Sequence, residues 1–247
     1  MSLLRTEELT KSYGKLVVTR DVSLGVERGE RHVIIGPNGA GKTSLLHQLG
    51  GQQRPSSGRI WLKGEDVTGF APEEICRRGV ARTFQVNNLF RNLSMLENAR
   101  LAVQARHGRP FDPLHRALAD RHLLGRVEAV LAAAHLRVAF DRPVRALSYG
   151  EQRQLELALA LASDPDVLLL DEPTSGMSPV ETEAMIGLVR GLPTSLGLLM
   201  IEHDMKVVFG VADRVTVLYF GEVLATGTPD QIRADARVRE VYLGSVH

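Results

Sequence analysis

The run Gly36-Pro-Asn-Gly-Ala-Gly-Lys-Thr43 is the part of this chain best suited to hold an anion. Glycines spaced as Gly36-x4-Gly41 let successive backbone N–H groups turn inward toward phosphate oxygens, at the positive end of the helix that follows. Lys42 can reach the β- and γ-phosphates of a nucleotide, and the Thr43 hydroxyl can ligate Mg2+. The plain alternative is a glycine-rich turn before a helix. The context favours phosphate binding, because apolar Val33-Ile-Ile35 reads as a strand leading in and Ser44-Leu-Leu-His-Gln-Leu49 as a helix leading out. The whole of Gly36, Pro37, Asn38, Gly39, Ala40, Gly41, Lys42, Thr43 and Ser44 is therefore assigned to a nucleotide.

Two further segments supply chemistry. Val167-Leu-Leu-Leu-Asp171-Glu172 is a buried strand with two acids at its carboxyl end, where open α/β sheets place ligands. Asp171 there can hold Mg2+, usually through water, and Glu172 can act as general base on an attacking water. In Leu147-Ser148-Tyr149-Gly150-Glu151-Gln152, a Ser and a Gly at a helix start can present a hydroxyl and backbone N–H groups to an anion. Alone, the first would be a strand end and the second an N-cap. Together with the glycine loop they form a nucleotide-hydrolysing set.

The elements that must position these groups follow from patterning. Val33–Ile35, Arg59–Leu62, a segment near Val80–Phe84, Val167–Leu170, Gly197–Ile201 and Arg214–Tyr219 read as strands, and the opening from Leu3 to about Val33 as short β-rich pieces with turns. Continuous rather than alternating apolar runs predict parallel strands covered on both faces. Pro72–Arg78 and Gln152–Ala162 read as helices, and Leu123, Val127, Val130, Leu131 and Ala134 share one helical face. The expected fold is α/β: a P-loop NTPase core with a mainly parallel sheet, an N-terminal antiparallel β subdomain and an inserted helical subdomain. All 247 residues are expected to form one nucleotide-hydrolysing domain, with 1–85 and 162–247 as the nucleotide-binding core and 86–161 as the helical insert.

Composition bounds the reading. At 44% hydrophobic and 24% charged residues the chain is an ordinary globular protein, and 30 basic against 29 acidic residues argue against a nucleic-acid partner. The single cysteine, Cys76, excludes an internal disulfide. Neither a secretory leader nor a membrane-spanning apolar run is found, so work at a membrane would go through a partner.

With the motifs in this order, the sequence resembles the ATP-binding-cassette (ABC) ATPases over nearly its whole length. The resemblance implies that Tyr13 stacks on adenine and that Gln85, in Ala81-Arg-Thr-Phe-Gln85, touches Mg2+ and faces a membrane subunit. It implies that Ser148 and Gly150 contact the γ-phosphate of ATP bound to an opposite subunit, and that Ser175-Gly-Met-Ser178 is the loop after the catalytic Glu172. His203, 31 residues beyond Glu172, matches the switch histidine on the γ-phosphate. Tyr149 departs from the usual first glycine of the signature, and Ser178 stands where Asp is common.

Ala81–Asn98, Leu147–Glu156, Ile201–Met205 and the ending Arg237–Gly244 look like the cassettes of branched-chain (hydrophobic) amino-acid importers. The ending is shared with urea or amide importers and with the lipopolysaccharide-export cassette. The resemblance implies ATP and Mg2+ as cofactors, and a second cassette, identical or different, as partner. Two membrane permeases and, indirectly, an extracytoplasmic solute-binding protein complete the implied assembly, with the chain cytoplasmic and peripheral on the inner face of the membrane. A non-transport ABC ATPase is the distant alternative. Chromosome-type members insert a long coiled coil, whereas only 105 residues separate Lys42 from Leu147 here. A small-molecule kinase would leave Leu147–Gln152 and His203 without a purpose. The basic stretch 104–122 reads as a solvated insert, and Cys76 and Trp61 as packing residues.

Overall fold

The opening residues form one long strand, β1 (Ser2–Tyr13), rather than the short pieces expected, followed by β2 (Leu16–Val22) and β3 (Gly25–Glu27). The computed structural model describes residues 2–83, 89–107, 121–136 and 140–241. Irregular pairing hides β1 from a periodicity reading: its register to β2 shifts between Leu9 and Ser12, and Glu8 sits at φ 47. Such bulges break the strict inward-outward alternation of a strand.

The chain continues through β4 (Arg31–Ile35), α1 (Lys42–Leu49), β5 (Ser57–Leu62), β6 (Glu65–Asp66), α2 (Pro72–Arg77) and β7 (Val80–Arg82). Helices α3 (Met95–His107), α4 (Arg121–Ala133) and α5 (Tyr149–Leu161) precede β8 (Val167–Asp171), α6 (Pro179–Arg190) and β9 (Gly197–Ile201). The last elements are α7 (Met205–Val211), β10 (Arg214–Tyr219), β11 (Glu222–Gly227), α8 (Pro229–Ala234) and α9 (Ala236–Val241). Two compact units result: Met1–Arg82 with Asp166–Glu172 and Pro193–His247, and Thr83–Pro165 with Pro173–Leu192.

The first unit carries both sheets. One is antiparallel, in the order β2-β1-β5-β6 with β3 also on β1; the other runs β11-β10-β4-β9-β8-β7. In the second sheet only the pairing to β11 is antiparallel. Every residue of β8 and β9 is buried, as doubly covered parallel strands require. Leu4, Leu9, Ile34, Leu45, Leu46, Ile60, Leu169 and Ile201 belong to one apolar core in this unit.

The second unit is helical. Val127, Leu131 and Ala134 of the predicted stripe are buried, as are Met95, Ala99 and Val103 of α3 and Leu155 and Ala158 of α5. The Leu123 side chain and residues 108–120 of the basic stretch lie outside the described residues. Among the described residues, no helix is long and apolar enough to cross a membrane.

His32, on β4, is a polar residue inside the first unit, 1% exposed. Its Nδ1 lies 2.8 Å from the Gly25 carbonyl, which can only accept, so Nδ1 carries the proton. Nε2, 2.7 Å from Thr216 Oγ1, then accepts from that hydroxyl, and Thr216 in turn accepts from Thr226 at 2.9 Å. Both ring nitrogens are satisfied in this neutral form, and burial, which penalises the charged ring, pushes the pKa from 6.5 down to about 4. The folded state therefore binds fewer protons than the unfolded chain between those values, and stability falls as pH drops through that window. The expected loss approaches about 3 kcal/mol at pH 4. Melting temperatures measured from pH 7 to 4 should fall less steeply for His32→Gln than for the parent chain; equal slopes would remove His32 as the cause.

Candidate nucleotide site

Three neighbouring strands, β4, β9 and β8, deliver the site at their carboxyl ends. Ile34 pairs with Ile201, and Ile201 with Asp171. The segments leaving these strands, at Gly36, Glu202 and Glu172, thus emerge side by side where parallel sheets bind ligands.

The glycine loop is built for close backbone approach. Gly41 is the N-cap of α1 at φ 94, and a Cβ there would collide with the Val18 carbonyl. Only glycine satisfies both conditions. Pro37, Asn38 and Gly39 reach the surface, while Gly36 and Ala40 are buried. Lys42 is buried, and its Nζ donates to the carbonyls of Gly36 at 2.7 Å and Pro37 at 3.0 Å. A cation thus stands over the loop before any ligand arrives. Burial pushes the Lys42 pKa down, and Glu172 and Asp171 partly offset that by favouring its charge. Thr43 is half-buried, and Ser44 Oγ donates to Gln53 Oε1 at 3.0 Å.

Asp171 is 2% exposed at the end of β8. Its Oδ2 accepts from Arg82 Nη2 at 3.1 Å, while its buried Oδ1 has no hydrogen-bond partner. An orphaned carboxylate oxygen beside a phosphate loop is what a divalent cation would need from the protein. Mg2+ is commonly held by one or two carboxylates plus nucleotide phosphates, so Asp171 and the Thr43 hydroxyl fit it. Sequence reasoning gave Arg82 no role. The guanidinium also bonds Gln52 Oε1 and is pinned between two side chains distant in the chain.

Glu172, the next residue, sits at φ 47 with its N–H donating to the Ile201 carbonyl at 3.0 Å. Left-handed backbone on a non-glycine residue costs about 1 kcal/mol or more and is concentrated at functional sites. It turns the chain sharply off β8 and leaves the Glu172 side chain partly exposed beside Asp171. His203 Nδ1 is 3.8 Å from Glu172 Oε1, and the His203 N–H donates to Glu202 Oε2 at 3.1 Å. Tyr13 is half-exposed at the end of β1, with Lys11 Nζ 4.9 Å from its ring centre. Gln85 lies outside the described residues.

Ser148 and Gly150 belong to the second unit. Ser148 caps α5, accepting from the Glu151 N–H, and Glu151 returns a bond to the Ser148 N–H at 2.7 Å. Helix α6 starts the same way, with Ser178 as cap and Glu181 as reciprocal partner. Glu181 also reaches Ser148 and Gly150, a contact missed from sequence although Ser178-x-x-Glu181 carries a capping-box pattern.

A phosphate loop leaving a buried parallel strand, with a strand-end acid pair beside it, defines a P-loop nucleotide-binding protein. The family model described as "ABC transporter" matches residues 19–175, and one described as "Branched-chain amino acid ATP-binding cassette transporter" matches residues 222–247. The chain belongs to the ABC transporter family as one of its ATP-binding cassettes, an ATPase subunit coupled to transport. It is 37% identical over 98% of both chains to the high-affinity branched-chain amino acid transport ATP-binding protein BraF of Pseudomonas aeruginosa. It is 36% identical to the lipopolysaccharide export system ATP-binding protein LptB of Acidithiobacillus ferridurans, over 98% of this chain and 97% of that protein. Among solved structures, a nucleotide-free ATP-binding cassette from an ABC transporter superposes with a TM-score of 0.85 at 27% identity, covering 98% of this chain and 99% of that one.

Proposed function

We propose that this cassette powers an importer of branched-chain or other hydrophobic amino acids. The reading is carried by the match of residues 222–247 to the branched-chain cassette model, together with BraF-like similarity along the whole chain. In this reading the cassette works with a second cassette, two membrane permeases and, indirectly, an external solute-binding protein. It is peripheral on the inner face of the membrane. The likeness to LptB supports a second reading, a lipopolysaccharide-export cassette; a urea or amide importer is a third member of the same group.

ATP is the substrate. Tyr13 offers an exposed ring for adenine, and Gly36 to Ser44 wrap the phosphates with backbone N–H groups and the Lys42 ammonium. Asp171 and Thr43, joined by Gln85, would hold Mg2+, which when bound neutralises charge on the phosphates. Glu172 takes a proton from the water whose oxygen attacks the γ-phosphorus, as the bond from that phosphorus to ADP breaks. His203 steadies the γ-phosphate. Ser148 and Gly150 grip the γ-phosphate of ATP held by the opposite cassette, so that two cassettes close on two ATP and reopen when phosphate leaves. Phe90, after Gln85, stands 60% exposed on a backbone clamped by buried Asn98, and this segment passes closure to a permease.

Replacing Lys42 by Ala should weaken ATP binding about ten- to hundredfold, the worth of a charge-assisted hydrogen bond to phosphate. Calorimetry with ATP checks this, and unaltered affinity would exclude Lys42 from phosphate contact. The transport reading is tested by purifying tagged Glu172→Gln chain with ATP in mild detergent and identifying the chains that accompany it. Two permeases and a second cassette, encoded with an amino-acid-binding protein, are expected. Lipid-export components would overturn the importer and leave the ATPase.

A further inference from the structure

The signature turn is already engaged by an anion, and that anion is part of the chain. Glu181 Oε1 accepts from the Gly150 N–H at 2.9 Å and from the Ser148 hydroxyl at 3.2 Å. Its Oε2 accepts from the Ser178 N–H at 2.9 Å and the Ser178 hydroxyl at 2.8 Å. One carboxylate thus draws four donors from the N-termini of two helices, α5 and α6, both of which favour negative charge at that end. Hydrogen bonds from Ser178, first through its N–H and then its hydroxyl, and from the Gly150 N–H hold the Glu181 carboxyl below its ordinary pKa. The approach is close. A Cβ on Gly150 would lie 2.7 Å from both Cγ and Cδ of Glu181, so no larger residue fits while the carboxylate is in place.

We propose that Glu181 is an internal competitor for the signature turn: its carboxylate holds Ser148 and Gly150 until the γ-phosphate of an ATP on the opposing cassette displaces it. This rests on the reading that Ser148 and Gly150 engage that γ-phosphate. The Gly150 N–H and the Ser148 hydroxyl each have one hydrogen to donate, and both are committed to Glu181 Oε1. Two anions cannot share the same donors without strong repulsion, so phosphate capture requires Glu181 to swing away while α6 keeps its Ser178 cap. The contact raises the ATP concentration needed for closure. When hydrolysis removes the γ-phosphate, the carboxylate recaptures the turn and favours reopening. Glu181 is thus a positioning residue acting through the signature, not a group that touches the reacting atoms.

The test uses the full chain in the Glu172→Gln background, with ATP-driven pairing of cassettes followed by light scattering. Glu181→Gln keeps a capping-box side chain and loses the charge; Glu181→Asp keeps the charge and loses reach. Both should lower the ATP concentration for half-maximal pairing, Glu181→Gln by about tenfold, the gain expected when a charge-assisted contact becomes a neutral one. A purely structural role would shift the melting temperature and leave that concentration alone. Ser148→Arg, measured beside them, separates the two premises. If Ser148→Arg abolishes pairing while both Glu181 variants match the parent, the competitor proposal alone is overturned. If Ser148→Arg pairs normally, the signature assignment fails and the proposal fails with it.

Discussion

Replacing Glu172 by Gln is expected to lower steady-state ATP hydrolysis by about 10²–10⁴-fold, the usual contribution of a positioned general base. ATP affinity should be unchanged, because the proposed phosphate holders are Lys42 and the backbone of the glycine loop rather than Glu172. The two proposed roles fall on side chains in different surroundings. Asp171 is buried and ion-paired, fit to hold a cation, whereas Glu172 is turned off the strand by its left-handed backbone. Its carboxylate then lies 3.8 Å from His203, with a partly exposed face where a water can stand. Measuring ATP binding and phosphate release on the same preparation decides the matter. Near-normal turnover in Glu172→Gln would remove the base assignment, and loss of binding would make Glu172 a ligand group instead.

Replacing Arg82 by Met should destabilise the fold by about 3–5 kcal/mol, because it leaves a buried carboxylate without its countercharge. The Arg82 and Asp171 side chains are only 7% and 1% exposed, so water cannot take over the missing role. For a chain of this length the expected fall in melting temperature is about 10 °C. The double variant Arg82→Met/Asp171→Leu should recover most of the loss, since a pair of apolar side chains has no charge to strand. A drop of under about 2 °C in the single variant would mean that the pair is solvated or loosely held. The ion pair has a chemical use as well. Arg82 occupies Oδ2 and leaves Oδ1 unpartnered, so Oδ1 is the oxygen that would ligate Mg2+ while the ion pair steadies the carboxylate.

The candidate site is legible in the sequence wherever its residues are consecutive. Gly36 to Ser44 announce themselves because an anion-binding loop needs its glycines at fixed spacing, and Val167–Asp171 and Gly197–Ile201 because doubly buried strands must be apolar throughout. Contacts between residues far apart in sequence left no such trace. Arg82 meets Asp171 across 89 positions, and nothing about one arginine ahead of Gln85 foretells a buried partner. The sequence reading gave Glu181 no role, because its approach to Gly150 depends on how α5 and α6 pack. β1 was read as fragments because a bulged strand that pairs with β2, β3 and β5 has no single period. Helix α5 begins at Tyr149, earlier than the apolar pattern suggested, since Ser148 and Glu151 set the start and not hydrophobicity.

The chain of hydrogen bonds from Gly25 through His32 and Thr216 to Thr226 bears on how the sheet assembles. β4, β9 and β10 are apolar enough that several alignments would bury comparable surface, and a slip of one residue exchanges the two faces of a strand. In such a slipped pairing the buried imidazole and the buried Thr216 hydroxyl would lose these partners, each at a cost of about 1–3 kcal/mol. The observed alignment of β4 with β10, and of β10 with β11, satisfies these groups. The polar thread therefore adds a penalty against misaligned pairing of β4 with β10 that apolar burial alone does not supply, and so favours the register from which the glycine loop leaves β4.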